Sequence, residues 1–224
     1  MTQEDAMTIG FVLGLVLCGV LLAVAPAGAK EGGTAPEARR LEKATFAGGC
    51  FWCMESPFDK LDGVVSVAVG YTGGRTVKPT YEDVSAGGTG HAESIEVVFD
   101  PARIGYARLL DVFWHNVDPT TPNRQFCDVG TQYRTAIFYH DAKQKALAEA
   151  SKKALEKSGR LPGPIVTEIV PAGEFWPAEE YHQHYYKKNP IRYTFYRRSC
   201  GRDRRIEEIW GRDAGHRAAG GGRE

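Results

Sequence analysis

Between residues 44 and 170 the chain switches between two hydrophobic rhythms, one of period two and one of period 3.6. Residues 44–47 form a short apolar run that ends at Gly48-Gly49, predicting a strand. Helical spacing fits residues 50–61, where Trp52, Phe58 and Leu61 are available to pack. Val65, Val67 and Val69 alternate as in a half-buried strand, and residues 94–99 repeat that alternation after a Gly-rich stretch, 70–90. Residues 106–116 return to helical spacing through Leu109, Leu110, Phe113 and Trp114, and Asp118-Pro119 stops them. A strand at 134–140, an amphipathic helix at 142–157 and a further strand at 165–170 complete the pattern. The order strand, helix, strand, strand, helix, strand predicts an α+β fold. Its core is a ferredoxin-like βαββαβ two-layer sandwich: an antiparallel or mixed sheet, helices on one face, long loops and a C-terminal extension.

The first segment stands apart from this pattern. Residues 9–25 are an uncharged apolar run, followed by Pro26-Ala27-Gly28-Ala29, which has the small-x-small form of a signal-peptidase site. The leader carries Glu4 and Asp5 and no Lys or Arg, unlike the usual basic start, and the run is just long enough to span a bilayer uncleaved. Leu17 before Cys18 argues against a lipoprotein. Residues 1–29 are therefore read as a signal peptide or membrane anchor, 30–43 as a linker, 44–211 as the folded domain and 212–224 as a disordered tail. The expected location is outside the cytoplasm, periplasmic or secreted; the alternative is an inner-membrane protein anchored by residues 9–25.

Composition is that of an ordinary globular domain, with 42% apolar and 25% charged residues and zero formal net charge. Zero net charge gives no case for a nucleic-acid partner, and a membrane enters only through the N-terminal run. Arg197, Arg198, Arg202, Arg204 and Arg205 are interleaved with Asp203, Glu207 and Glu208, which reads as a solvated, salt-bridged surface. No G-x-G-x-x-G or P-loop is present, so no organic cofactor is expected.

Four of the five cysteines, Cys50, Cys53, Cys127 and Cys200, lie beyond the leader. A domain of this size needs no disulfide staples to fold, which turns attention to reactive thiols. Cys50 follows two glycines and opens a predicted helix, where free N–H groups and the dipole favour a thiolate. Cys50 and Cys53 also form a C-x-x-C, which leaves a thioredoxin-like dithiol or a zinc site open; no second ligand pair lies at zinc spacing, and no metal is expected. Two long loops are rich in pocket chemistry: Tyr71, Tyr81, His91 and Glu93 in the first, Asp118, Arg124, Asp128, Gln132 and Tyr133 in the second.

Five motifs then follow one another in order. They are Gly49-Cys50-Phe51-Trp52-Cys53-Met54-Glu55, Gly70-Tyr71-Thr72-Gly73-Gly74, Gly90-His91-Ala92-Glu93, Asp128-Val129-Gly130-Thr131-Gln132-Tyr133-Arg134, and Phe175-Trp176-Pro177-Ala178-Glu179 with Tyr181-His182-Gln183. Together, over roughly residues 46–211, they resemble the peptide methionine sulfoxide reductases of the A type. The resemblance implies a peptide-methionine (S)-S-oxide reductase acting on oxidised proteins and free methionine sulfoxide. Cys50 is then the nucleophile that becomes a sulfenic acid. Glu93 is the acid that protonates the leaving oxygen, and Tyr81 and Tyr133 bond that oxygen. Phe51 and Trp52 form the apolar wall for the methyl group, and Asp128 helps to order the polar site. His91 and His182 are read as structural or supporting.

The sulfenic acid must next be trapped as a disulfide. Cys200, in Ser199-Cys200-Gly201, is the first candidate, with Cys53 and Cys127 as competitors; a thioredoxin-like donor then regenerates the thiols. A monomer is expected. The alternative to this reading is an exported thiol-disulfide oxidoreductase using Cys50 and Cys53.

Overall fold

The computed structural model describes residues 40–211; the leader, most of the linker and the tail read above lie outside them. The elements run β1 (Glu42–Gly48), α1 (Phe51–Asp59), β2 (Val64–Thr72), α2 (Tyr81–Ala86), β3 (Ala92–Phe99) and α3 (Tyr106–Trp114). A short hairpin, β4 (Arg124–Gln125) and β5 (Asp128–Val129), and a 3-10 turn at Thr131–Tyr133 lead to β6 (Thr135–Tyr139) and α4 (Ala142–Lys157). The described residues close with β7 (Glu168–Pro171), β8 (Trp176–Pro177), α5 (Tyr185–Lys188), α6 (Pro190–Ser199) and α7 (Arg202–Trp210).

The sheet order is β7-β6-β1-β3-β2-β8; every pairing is antiparallel except β6 with β7. It is a mixed sheet in an α+β fold, and the order β6-β1-β3-β2 is compatible with the expected βαββαβ core. Alternation explains the burial. Phe46, at the centre of β1, lies opposite Ile95 on one side and Ile137 on the other. Its ring stacks on Phe58 of α1 at 5.4 Å and on Phe113 of α3 at 5.2 Å, so both helices cover the same face. Val67, Val69, Val97 and Phe99 extend that buried layer. Truncating Phe46 to Ala removes a fully buried ring and costs about 3–5 kcal/mol. On the opposite face a smaller cluster forms from Ala47, Ala92, Ala136 and Phe138.

The core strands and helices overlap the segments that periodicity marks, but β1 begins earlier, at Glu42, β2 runs on to Thr72 inside the Gly-rich stretch, and β7 begins only at Glu168. The structure adds elements that the pattern does not announce. α2 sits inside the Gly-rich stretch and is opened by a capping box between Thr80 and Asp83. α6 buries none of its residues fully, so it lacks an apolar stripe. The arginine cluster departs from the surface reading. Arg202 is 1% exposed, donating to the carbonyl oxygens of Asn116 and Gly48 and packing over the Phe126 ring. Arg197 is also largely covered and bonds Asp203, the Cys53 carbonyl and the Tyr193 hydroxyl. Among the described residues no helix is long and apolar enough to cross a membrane.

Candidate active site

The chain leaves β1 through a turn that only glycine fits. Gly49 has φ +81°, and a Cβ there would lie 2.5 Å from the Gln125 side chain. This turn sets Cys50 as the residue that caps α1, with its carbonyl accepting from the amides of Cys53 and Met54. The next amide of the helix, Phe51 N–H, donates to Oε2 of Glu93 at 3.0 Å. Glu93 reaches this point because it shares the helix-facing side of β3 with Ile95 and stands opposite Tyr71 of β2. The carboxyl is 3% exposed, and burial raises its pKa to about 8 despite the Phe51 hydrogen bond.

Cys50 and Cys53 are both buried free thiols. Burial, then the adjoining Cys53, raises Cys50 well above a free thiol, against the direction given by the helix N-terminus. Its hydrogen bond with Cys50 brings Cys53 down to about 7, aided by Arg202 and Arg197. The buried pair thus favours the proton on Cys50 over Cys53, so attack by Cys50 as a thiolate draws on a group that takes that proton.

Around this pair stand three tyrosines and a second carboxylate. Tyr81 and Tyr133, both half-buried, lie within the electrostatic field of Cys50, Glu93 and Asp128; burial raises both phenols. Asp128 is raised by burial and accepts from the Tyr196 hydroxyl at 2.6 Å. An open cleft of about 790 Å³ beside them is lined by Trp52, Tyr81, His182, Tyr185 and Tyr196 among others. Trp52 stacks flat on Tyr185 at 3.8 Å and donates from its indole to Nδ1 of His182. Phe51 lies beneath, 1% exposed, against Tyr71 and His182.

The structure thus brings Cys50, Cys53, Glu93, Asp128, Tyr81 and Tyr133 together, with Phe51 and Trp52 alongside. Other residues of the two loops do not join them. Tyr71 is fully buried and donates to Glu179, and His91 bonds Gly74 and Thr76 within its own loop. Asp118 accepts from Thr120 and Arg205, fixing the second loop. Tyr196 is the site residue that the sequence reading missed; it belongs to a helix without an apolar stripe, so no periodic signal marks it.

Cys127 and Cys200, distant by 73 residues, form a disulfide. Both sulfurs lie against Asp128, at 3.7 and 3.8 Å from its carboxylate oxygens. These two cysteines and Asp128 are close enough to share an ion, but sulfurs bonded to one another offer no thiolate pair to a metal.

The sequence profile of peptide methionine sulfoxide reductases matches residues 42–214. The chain belongs to the peptide methionine sulfoxide reductase family. This reductase is 54% identical over 175 residues to "Peptide methionine sulfoxide reductase MsrA" of Bacillus licheniformis, covering 78% of this chain and 97% of that one. Among solved structures, methionine sulfoxide reductase A of Corynebacterium diphtheriae is 36% identical with a TM-score of 0.62, over 70% of this chain and 78% of that one. Mxr1 of Saccharomyces cerevisiae in its reduced form is 38% identical with a TM-score of 0.63, over 69% and 89% of the two chains. The reductase is accordingly an oxidoreductase, and its buried thiols are the groups to carry electrons.

Proposed function

We propose that this reductase converts the S epimer of methionine sulfoxide, in oxidised proteins or free, to methionine through Cys50. The observation that carries the reading is the buried Glu93 carboxyl held on the Phe51 amide, one residue from the Cys50 sulfur. With a pKa of about 8, it keeps its proton at neutral pH and can give it to the sulfoxide oxygen as the S–O bond weakens. Tyr81 and Tyr133 supply hydroxyls to the same oxygen, and Trp52 with Phe51 supplies the apolar contact for the methyl group. Attack by Cys50 on sulfur releases methionine and leaves Cys50 as a sulfenic acid.

In this reading Cys53 resolves it in place of Cys200: Cys53 is the free thiol that interacts with Cys50, whereas the Cys200 sulfur is already bonded to Cys127. Loss of water then gives a Cys50–Cys53 disulfide. That pair is buried, while Cys127 is exposed. A thioredoxin-like dithiol therefore reduces Cys127–Cys200 first, and the dithiol formed there passes its electrons inward to Cys50–Cys53. Burial also weighs against the general oxidoreductase alternative, since a long, flexible methionine side chain enters a recess more readily than a disulfide held close to two backbones. The apolar run at residues 9–25 supports export, periplasmic or secreted, as part of this reading; recovery of the whole protein in the cytosolic fraction would sink that part.

The test is a stereospecific assay: R and S methionine sulfoxide with dithiothreitol, wild type beside Cys50→Ser. Loss of the S epimer alone, abolished by the substitution, is the expected result. A folded, reduced wild type that consumes neither epimer overturns the reading.

A further inference from the structure

The Cys50 thiol is buried, and its neutral form is favoured, so the reaction needs a route for its proton that Glu93, occupied with the leaving oxygen, does not supply. The Tyr196 hydroxyl spans the two groups that solve this. It donates to Oδ2 of Asp128 at 2.6 Å, and both Cys50 and Asp128 act on its hydroxyl electrostatically, so the phenol stands beside the thiol and the carboxylate together. Its ring stands edge-on to Trp52, with 5.9 Å between centroids, so the phenol lines the same cleft that the substrate would enter. α6 is fixed at its C-terminal end by the Cys127–Cys200 bond, four residues beyond Tyr196, and the other end of that bond is the neighbour of Asp128 in sequence.

We infer that Tyr196 is a catalytic residue, relaying the Cys50 proton to Asp128 as the sulfur attacks. This rests on the proposed sulfoxide chemistry and adds its second proton path. The Cys50 proton passes to the Tyr196 oxygen while the Tyr196 proton passes to Oδ2 of Asp128. The Cys50 electron pair forms the bond to the sulfoxide sulfur, and the sulfoxide oxygen takes the Glu93 proton. Collapse to methionine transfers the hydroxyl to Cys50 as sulfenic acid, so sulfur of the substrate is reduced and Cys50 oxidised. Glu93 has then lost one proton and Asp128 gained one; the two carboxyls lie within one another's electrostatic field, and return of the proton from Asp128 to Glu93 resets the site. Two carboxyls with separated duties, one donor and one acceptor, are what an internal proton transfer requires.

The groups facing Asp128 and Cys50 are Glu93 from β3, Cys53 from α1, Tyr81 from α2, Tyr133 from the 3-10 turn, Tyr196 from α6 and Arg202 from α7. Cys53 is the rival acceptor, since it shares a hydrogen bond with Cys50. The experiment compares wild type, Tyr196→Phe, Asp128→Asn and the double variant, each with its fold confirmed by circular dichroism and thermal unfolding. With free methionine S-sulfoxide and dithiothreitol, each single variant is expected to lose about 10²-fold in kcat with KM within about twofold, and the double to lose no more than either. A second readout needs no turnover. In a Cys53→Ser background, iodoacetamide alkylation of Cys50 at neutral pH should slow about tenfold when Tyr196→Phe is added, the loss expected of one hydrogen bond to a charged sulfur. Unchanged kcat in Tyr196→Phe, multiplicative losses in the double variant, or an unchanged alkylation rate each overturn the relay. A wild type inactive on both epimers strikes the sulfoxide chemistry instead, and the alkylation rates still decide whether Tyr196 serves Cys50.

Discussion

The amide of Phe51 and the carboxyl of Glu93 join the first turn of α1 to the end of β3 by a single hydrogen bond of 3.0 Å. The bond holds one carboxyl oxygen and leaves the other to carry a proton. It also ties the acid to the backbone of the residue that follows the nucleophile, so neither can move without the other. Glu93→Gln preserves the acceptor and deletes the proton. Its kcat should fall by about 10²–10⁴-fold with little change in KM. In the wild type, kcat should hold below pH 8 and fall above it as Glu93 ionises. Steady-state kinetics over pH 6–10 check both, and an activity that rises through pH 8 would remove Glu93 as the acid.

The same carboxyl weakens the fold. Its pKa rises from 4.5 to about 8 on folding, chiefly through burial, so between those values the folded chain holds a proton that the unfolded chain has released. Stability attributable to this group is therefore present at acid pH and lost as pH rises through that window, with a slope of up to about 1.4 kcal/mol per unit. Glu93→Gln should match the wild-type melting temperature near pH 4 and exceed it at pH 9. Thermal unfolding at the two pH values gives the answer; an equal shift at both would place the effect in packing instead.

The cysteines should separate into an inner and an outer pair. Cys53→Ser is expected to release one equivalent of methionine and then stall, with Cys50 trapped as sulfenic acid and labelled by dimedone. Cys200→Ser should form the Cys50–Cys53 disulfide normally yet lose turnover with a thioredoxin donor. Full thioredoxin-driven turnover by Cys200→Ser would dismiss the outer pair as the entry point.

Arg202 joins α7 to the turn before Cys50 through the Gly48 carbonyl. A buried guanidinium that satisfies two carbonyls is costly to remove, because both acceptors are left without partners. Arg202→Met should destabilise the domain by about 3 kcal/mol in urea unfolding. It should also raise the Cys53 pKa, since Arg202 favours that thiolate. A loss under about 0.5 kcal/mol would return this arginine to the surface role that its charged neighbours suggest.

How much of this could be read beforehand follows from what holds each part together. Val67, Val69, Ile95, Val97 and Phe99 sit in strands with one covered face, and alternation announces them directly. Cys50 caps α1, Glu93 lies near the start of β3 and Tyr133 ends the 3-10 turn; ordered motifs mark them where periodicity is silent. Tyr196 and Arg202 escaped both signals. Tyr196 points into the site from a helix that contributes no fully buried residue to the core, and Arg202 is a charge buried on carbonyls, a placement that composition argues against. The Cys127–Cys200 bond joins residues far apart in the chain, and no local pattern specifies which cysteine meets which.

That bond closes a loop of 73 residues, which contains β6, α4 and β7. Holding such a loop shut restricts the unfolded chain and favours the fold by about 4 kcal/mol. If electrons enter at this bond, every turnover opens the clasp for a moment and hands that constraint back. The enzyme is then sturdiest when reductant is scarce and most open to unfolding when it works fastest, so its lifetime is tied to the number of methionines it has repaired.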